Sequence, residues 1–209
     1  GHDDIISLGV GEPDFSTPWT IREEAFYHLE KGHTSYTSNW GLLELREEIA
    51  KYLTKYNLDY NPTNEILVTV GASEGVDAVL RTILNPGDEL IICEPCYVSY
   101  QPLTTLCDAK VIHFDTSKTG FYPTAEELEK VITPKTKAIM LCSPSNPTGR
   151  MCSADELEKI AELVKKYNPA ADFDMIERAY NIAQEAHSDQ RRFSGEPYMV
   201  HPYQVAVIL

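Results

Sequence analysis

The 209 residues carry 18 Lys plus Arg against 32 Asp plus Glu, a formal net charge of −14, which excludes a general electrostatic grip on nucleic-acid phosphates. The 43% hydrophobic content suits a packed core and not a disordered chain, and no apolar run reaches the ~18–20 residues of a membrane span. Five cysteines, an odd number thinly spread, argue against a disulfide scaffold and for a reducing, cytoplasmic setting, and Gly1-His2-Asp3-Asp4 has neither part of a secretory signal.

Two helices are predicted first. One runs from Pro18 to Lys31, with Thr17 as N-cap and proline in the first turn. The other runs from Leu42 to Tyr56, after a polar loop from His33 to Gly41. Strand and helix then alternate. Ile66–Val70 is a short β-branched run that Gly71 stops, and Ser73–Leu84 reads as a helix ended by Asn85-Pro86-Gly87-Asp88. Glu89–Cys93 is the next strand. Tyr97–Leu106 is helical, with Pro102 marking a kink or an early end. Lys110–Phe114 is a third strand, and Ala125–Ile132 a short helix capped by Thr124. Lys137–Cys142 is a fourth strand. Ser153–Tyr167 is an amphipathic helix opened by a Ser153/Glu156 capping box. Such alternation implies an α/β fold of parallel β-α-β units, and the near-continuous apolar strands imply a sheet covered on both faces.

After Asn168 the pattern changes. Pro169-Ala170-Ala171 breaks the chain, Phe173–His187 reads as a helix with one apolar face, a polar loop covers Ser188–Pro197, and Tyr203–Leu209 starts a further apolar helix. The strand that the earlier rhythm predicts soon after Tyr167 is missing.

Chemistry concentrates where strands end. In Val70-Gly71-Ala72-Ser73-Glu74-Gly75 a glycine turns the chain from strand into helix, so free N–H groups and the positive helix end can take a phosphate. The same residues also fit an ordinary strand–helix turn. Ser143-Pro144-Ser145-Asn146-Pro147-Thr148-Gly149 is a stiff loop after the fourth strand, where open α/β sheets place ligands; the alternative is a rigid Asx turn. Tyr97, on the same sheet edge, can cover a flat ring. Cys93 and Cys96 form a C-x-x-C without a second pair or a nearby histidine, so no zinc site is expected.

Gly9-Val10-Gly11-Glu12-Pro13-Asp14-Phe15, Tyr36…Gly41…Leu45-Arg46, Gly71-Ala72-Ser73-Glu74, Pro95-Cys96-Tyr97 and Asn146-Pro147-Thr148-Gly149 together resemble the class I/II aminotransferases, over about residues 5–168. The resemblance implies an incomplete aspartate aminotransferase-type fold and pyridoxal 5′-phosphate as cofactor. The backbone of Ala72, Ser73 and Glu74 would hold the cofactor phosphate and Tyr97 would stack on its ring. Asn146 would meet the ring hydroxyl oxygen and lie near the substrate carboxylate. Gly11 would lie in the loop that meets an amino acid or 2-oxo acid substrate. Tyr36 would reach the phosphate of a neighbouring subunit in a homodimer. The family's Schiff-base lysine, pyridinium aspartate and substrate arginine belong to its second half. None of the eleven lysines here matches the lysine motif, and none follows Lys166, so no catalytic residue is assigned. By the same resemblance, three further strands would separate Ile66–Val70 from the other strands. That run is therefore expected to lack a neighbour, leaving apolar faces and strand edges exposed or a gap closed in some other way.

Ala186-His187-Ser188-Asp189 through Tyr198-Met199-Val200-His201-Pro202 resembles the start of the HD hydrolase domain of stringent-response (p)ppGpp synthetase/hydrolases. That would make 1–168 a partial aminotransferase domain and 169–209 the front of a second domain. His201 would be a metal ligand, with Arg192 and Ser194 near a guanosine nucleotide. A single histidine holds catalytic metal poorly, so no metal is expected. The alternatives to an inactive aminotransferase portion are a non-catalytic binding or dimerisation module and, further off, the nucleotide hydrolase.

Overall fold

A computed structural model describes residue 11, residues 15–169 and the backbone of residues 206–207. The helices are α1 (Trp19–Glu30), α2 (Leu43–Leu53), α3 (Gly71–Ile83), α4 (Tyr100–Thr105), α5 (Ala125–Glu129) and α6 (Ala154–Tyr167). The strands are β1 (Glu89–Glu94), β2 (Lys110–Asp115), β3 (Thr136–Met140) and β4 (Ala206–Val207). The sheet order is β2-β1-β3-β4. β1 lies parallel to both β2 and β3, whereas β4 joins β3 antiparallel.

Successive strand side chains point to opposite faces, and the burial pattern follows that alternation. On one face Ile91, Ile139 and Leu141 pack with Leu128 of α5 and Ile160, Leu163 and Val164 of α6. On the other, Leu90, Ile92, Ala138 and Met140 pack with Leu80 of α3, Leu84 just beyond it, and Tyr100 of α4. The expected α/β sheet, covered on both faces, is what forms.

Several local expectations are corrected. Thr17 is not the cap of α1: Pro18 is, in an extended conformation, and it makes no side-chain cap bond because it has no donor or acceptor there. The helix predicted from Tyr97 begins at Tyr100, with Pro102 inside its first turn, where its missing N–H removes no intrahelical bond. The fourth strand stops at Met140, before Leu141 and Cys142. Ser153 caps α6 by accepting from the Glu156 N–H at 3.2 Å. The Glu156 carboxylate instead accepts from the Ala125 N–H at 2.7 Å, so half of the capping box is spent tying α6 to the start of α5.

Ile66–Val70 is not a strand: among the described residues no other strand lies beside it. A bond from the Val68 N–H to the Trp40 carbonyl, 3.0 Å, ties it to the loop before α2. Apolar side chains stay exposed around it: Val70 is 90% exposed, and none of α1's residues is buried. The helix expected over 203–209 is overturned at Ala206–Val207, which pairs as a strand because β3 presents an edge of buried, β-compatible residues. The predicted helix over 173–187, Arg192, Ser194 and His201 lie outside the described residues.

Candidate functional site

The candidate site is built from three turns, two of them following the parallel strands β1 and β3. The first opens α3. Gly71 takes a φ of +76°, a left-handed conformation that L side chains avoid. Its N–H bonds to the Thr69 carbonyl at 2.9 Å, and its own carbonyl accepts from the Thr69 hydroxyl at 3.1 Å. The chain thus turns abruptly into the helix, leaving the N–H groups of Ala72 and Ser73 at its exposed N-terminus without an intrahelical acceptor. The Glu74 carboxylate folds back onto the Val70 N–H, beside the positive end of the helix.

The second turn follows β1. The Thr116 hydroxyl donates to the Glu94 carbonyl at 2.6 Å and the Thr116 N–H reaches the same oxygen at 3.0 Å, fixing the end of β1 to the end of β2. The chain then crosses a cis Glu94–Pro95 bond to Tyr97. Tyr97 is half-buried, its ring set edge-on to Tyr100 with centroids 5.7 Å apart. Its hydroxyl stands 3.2 Å from the Ser73 hydroxyl. Hydrogen bonding by Ser73, and then by Ser99, holds the Tyr97 phenol below its ordinary range.

The third turn follows β3. Ser145 N–H to Arg150 carbonyl and Gly149 N–H to Ser145 carbonyl, both 2.7 Å, close a tight loop around Asn146, and the Cys152 N–H bonds to the Ser143 hydroxyl at 3.1 Å. Ser143–Pro144 and Asn146–Pro147 are cis. Because β3 is β1's neighbour, this loop and the one bearing Tyr97 share the walls of a cavity of about 20 Å³, room for roughly one water. Four cysteines reach it: Cys93, Cys96, Cys142 and Cys152. Burial pushes the Cys93 and Cys96 thiols up, and the Cys152 thiol up to about 11, so they serve as apolar packing groups and not as nucleophiles. Among the described residues no His/Cys/Asp/Glu group could hold a metal ion.

Of the residues singled out from sequence, Ser73 and Tyr97 meet directly, and Ala72 and Glu74 flank them in α3. Asn146 stands half-buried on the neighbouring loop, without a hydrogen bond to that pair. Tyr36 is fully exposed and joins neither. Gly11 is exposed, with open space where a Cβ would stand.

Sequence reasoning missed the scaffold behind the first turn. Gly41 has a φ of +91°, and a Cβ there would lie 2.7 Å from the Val68 Cβ. Buried Arg46 donates to the Gly41 carbonyl at 3.3 Å and to the Pro62 carbonyl, with its guanidinium 6.0 Å from the Trp40 ring centroid. The Gly41…Arg46 spacing was visible, but not the contact it serves.

This geometry sets an exposed helix start beside an aromatic side chain at one edge of an α/β fold, an arrangement that suits a ligand with a phosphate and a flat ring. The family model for aminotransferase class I and II matches residues 3–180, and the chain belongs to that family. It is 52% identical over 166 residues to a putative aminotransferase, YugH, of Bacillus subtilis, covering 78% of this chain and 43% of that protein. It is 45% identical over 168 residues to a probable N-acetyl-LL-diaminopimelate aminotransferase of the same organism, covering 80% of this chain and 43% of that protein. The crystal structure of the aromatic aminotransferase from Pyrococcus horikoshii superposes with a TM-score of 0.73 at 42% identity, over 79% of this chain and 45% of that one. The fold is therefore aspartate aminotransferase-like, and the chain spans less than half the length of these relatives. The family match runs beyond Asn168, where the change of pattern placed a domain boundary. The family's cofactor is pyridoxal 5′-phosphate. The donor set fits it: N–H groups and a hydroxyl at a helix start suit a phosphate, and the half-buried Tyr97 ring suits a flat aromatic heterocycle.

Among the described residues no helix is long and apolar enough to cross a membrane.

Proposed function

We propose that this chain supplies the cofactor cradle of a pyridoxal phosphate-dependent aminotransferase, an enzyme that passes an amino group between an amino acid and a 2-oxo acid. The observation that carries the reading is the 3.2 Å approach of the Ser73 and Tyr97 hydroxyls, which brings a phosphate-type helix start and a ring-covering aromatic to one spot. The N–H groups of Ala72, Ser73 and Glu74 and the Ser73 hydroxyl bind the phosphate, Tyr97 covers the pyridine ring, and Asn146 orients it from the loop after β3. Gly11 lies in the substrate loop, and Tyr36, fully exposed, reaches a second subunit of a homodimer. When bound, the cofactor supplies an electron sink for charge developing on the substrate.

These 209 residues bind and orient but do not turn over. Five of the eleven lysines pair with glutamates, Lys51 with Glu48, Lys110 with Glu89, Lys130 with Glu127, Lys159 with Glu156 and Lys166 with Glu129. Among the described residues no lysine hydrogen-bonds into the Ser73–Tyr97 site. The test is borohydride reduction after incubation with pyridoxal phosphate, read by peptide mass spectrometry. The expected result is no stoichiometric adduct at any one lysine. A single fully modified lysine, together with transamination, overturns the inactivity. The same reading divides the chain at Asn168–Pro169, so limited proteolysis should cut there first; initial cleavage elsewhere contradicts the division.

A further inference from the structure

Arg46, on α2, is 7% exposed, and the cofactor cradle gives it no task. Burying a guanidinium is costly unless its donors are met. Here they go to main-chain carbonyls: Nε donates to Gly41 at 3.3 Å and Nη1 donates to Pro62, with the guanidinium 6.0 Å from the Trp40 ring centroid. Both carbonyls hold one short run, residues 62–70. Pro62 is its entry. Gly41 supports its middle: the Val68 N–H donates to the Trp40 carbonyl at 3.0 Å, and a Cβ at Gly41 would lie 2.7 Å from the Val68 Cβ, so Val68 rests on the Trp40–Gly41 peptide. Shortly after Val68, Gly71 turns the chain into α3, with the Thr69 hydroxyl donating to the Gly71 carbonyl at 3.1 Å. The path from Arg46 to the first N–H groups of α3 is therefore short and bonded along its length.

We propose that Arg46 is a positioning residue for phosphate binding: by holding the Gly41 and Pro62 carbonyls it fixes the run that aims the N–H groups of Ala72 and Ser73. It acts through the loop and touches no ligand. A guanidinium suits the task because its planar fork meets two acceptors in fixed directions, which an ammonium does not. The inference rests on the cofactor reading above and deepens it.

The test uses the full chain and three variants. Arg46→Met keeps much of the stem and removes the donors. Arg46→Lys keeps the charge and removes the fork. Lys51→Met removes an exposed cation from the same helix. Two quantities are read: the affinity ratio of pyridoxal 5′-phosphate to pyridoxal, and amide exchange at Val68. In Arg46→Met the ratio should fall and Val68 exchange should rise, each at least about fivefold, the scale of one lost hydrogen bond, while pyridoxal affinity stays within about twofold. Arg46→Lys should move both quantities the same way, which separates positioning from through-space attraction between a cation and a phosphate. Lys51→Met should match the starting protein. Protection at Ile91 and Ile139 reports the intact sheet; if Arg46→Met loses it, Arg46→Lys carries the reading. A ratio or a Val68 exchange rate left unchanged in the Arg46 variants overturns the proposal. So does equal weakening of both ligands, which is what a merely structural role gives. Equal binding of the two ligands by the starting protein contradicts the cofactor reading itself, and the inference with it, so the two failures are distinguishable.

Discussion

Ser73 and Tyr97, 24 residues apart in sequence, hold their hydroxyls 3.2 Å from each other across the gap between the start of α3 and the loop after β1. That bridge joins the two parts of the proposed cofactor cradle.

Its consequences separate by substitution. Tyr97→Phe keeps the ring and removes the bridge, so pyridoxal phosphate affinity should fall less than tenfold. Tyr97→Ala removes the stacking surface and should cost more than tenfold. Ser73→Ala removes a phosphate donor as well as the bridge and should also weaken binding of inorganic phosphate. Fluorescence titration of each variant checks the order.

Gly41→Ala should destabilise by about 1–3 kcal/mol. The new Cβ meets Val68 and forces a non-glycine residue into the left-handed region. Gly71→Ala, with the same backbone constraint but open space around it, should cost about 1 kcal/mol. It should instead weaken phosphate binding by tilting the first N–H groups of α3. Urea unfolding and phosphate titration distinguish the two.

Buried Glu89 accepts from the Thr133 hydroxyl at 2.6 Å and from Lys110 at 3.1 Å. The Thr133 bond, with Lys110 behind it, holds the Glu89 carboxyl below the usual carboxylate range. A depressed folded-state value means stability present above the unfolded-state value and lost as pH falls through the folded one. Stability should therefore drop on acidification, with part of that drop missing in Glu89→Ala. That variant should cost about 1 kcal/mol at neutral pH, because it loses the bonds to Thr133 and Lys110 while both partners stay open to water.

The thiols give the opposite limb. Burial raises Cys152 to about 11 from an ordinary value of 9.0, and Cys93 is raised too. The unfolded chain releases these protons first, so stability should decline as pH rises from about 9 toward 11. Cys152→Ala should flatten that decline in chemical unfolding measured across the alkaline range.

Much of this molecule was legible in its sequence because strand and helix periods are local. Leu90, Ile91 and Ile92 read as a strand buried on both faces, and Thr124 and Ser153 read as caps, each resting on a few neighbouring residues. Ile66–Val70 read as a strand for the same local reason, but a strand also needs a partner strand, and this run has a single backbone bond from Val68 to Trp40 in place of one. At Ala206–Val207 apolar content alone did not separate helix from strand; the open edge of β3 did. The candidate site showed the same division. The turn at Gly71 and the aromatic at Tyr97 were visible, whereas the Ser73–Tyr97 bridge, the Gly41–Val68 contact and the Thr116 lock on Glu94 depend on distances that only the folded chain supplies.

The most direct test compares equilibrium binding of pyridoxal 5′-phosphate with that of pyridoxal, which keeps the ring and lacks the phosphate. A cradle built on the start of α3 predicts saturable binding of the phosphorylated form, at least tenfold weaker binding of pyridoxal, and competition by inorganic phosphate. Equal affinity for the two, untouched by phosphate or by Ser73→Ala, would contradict it.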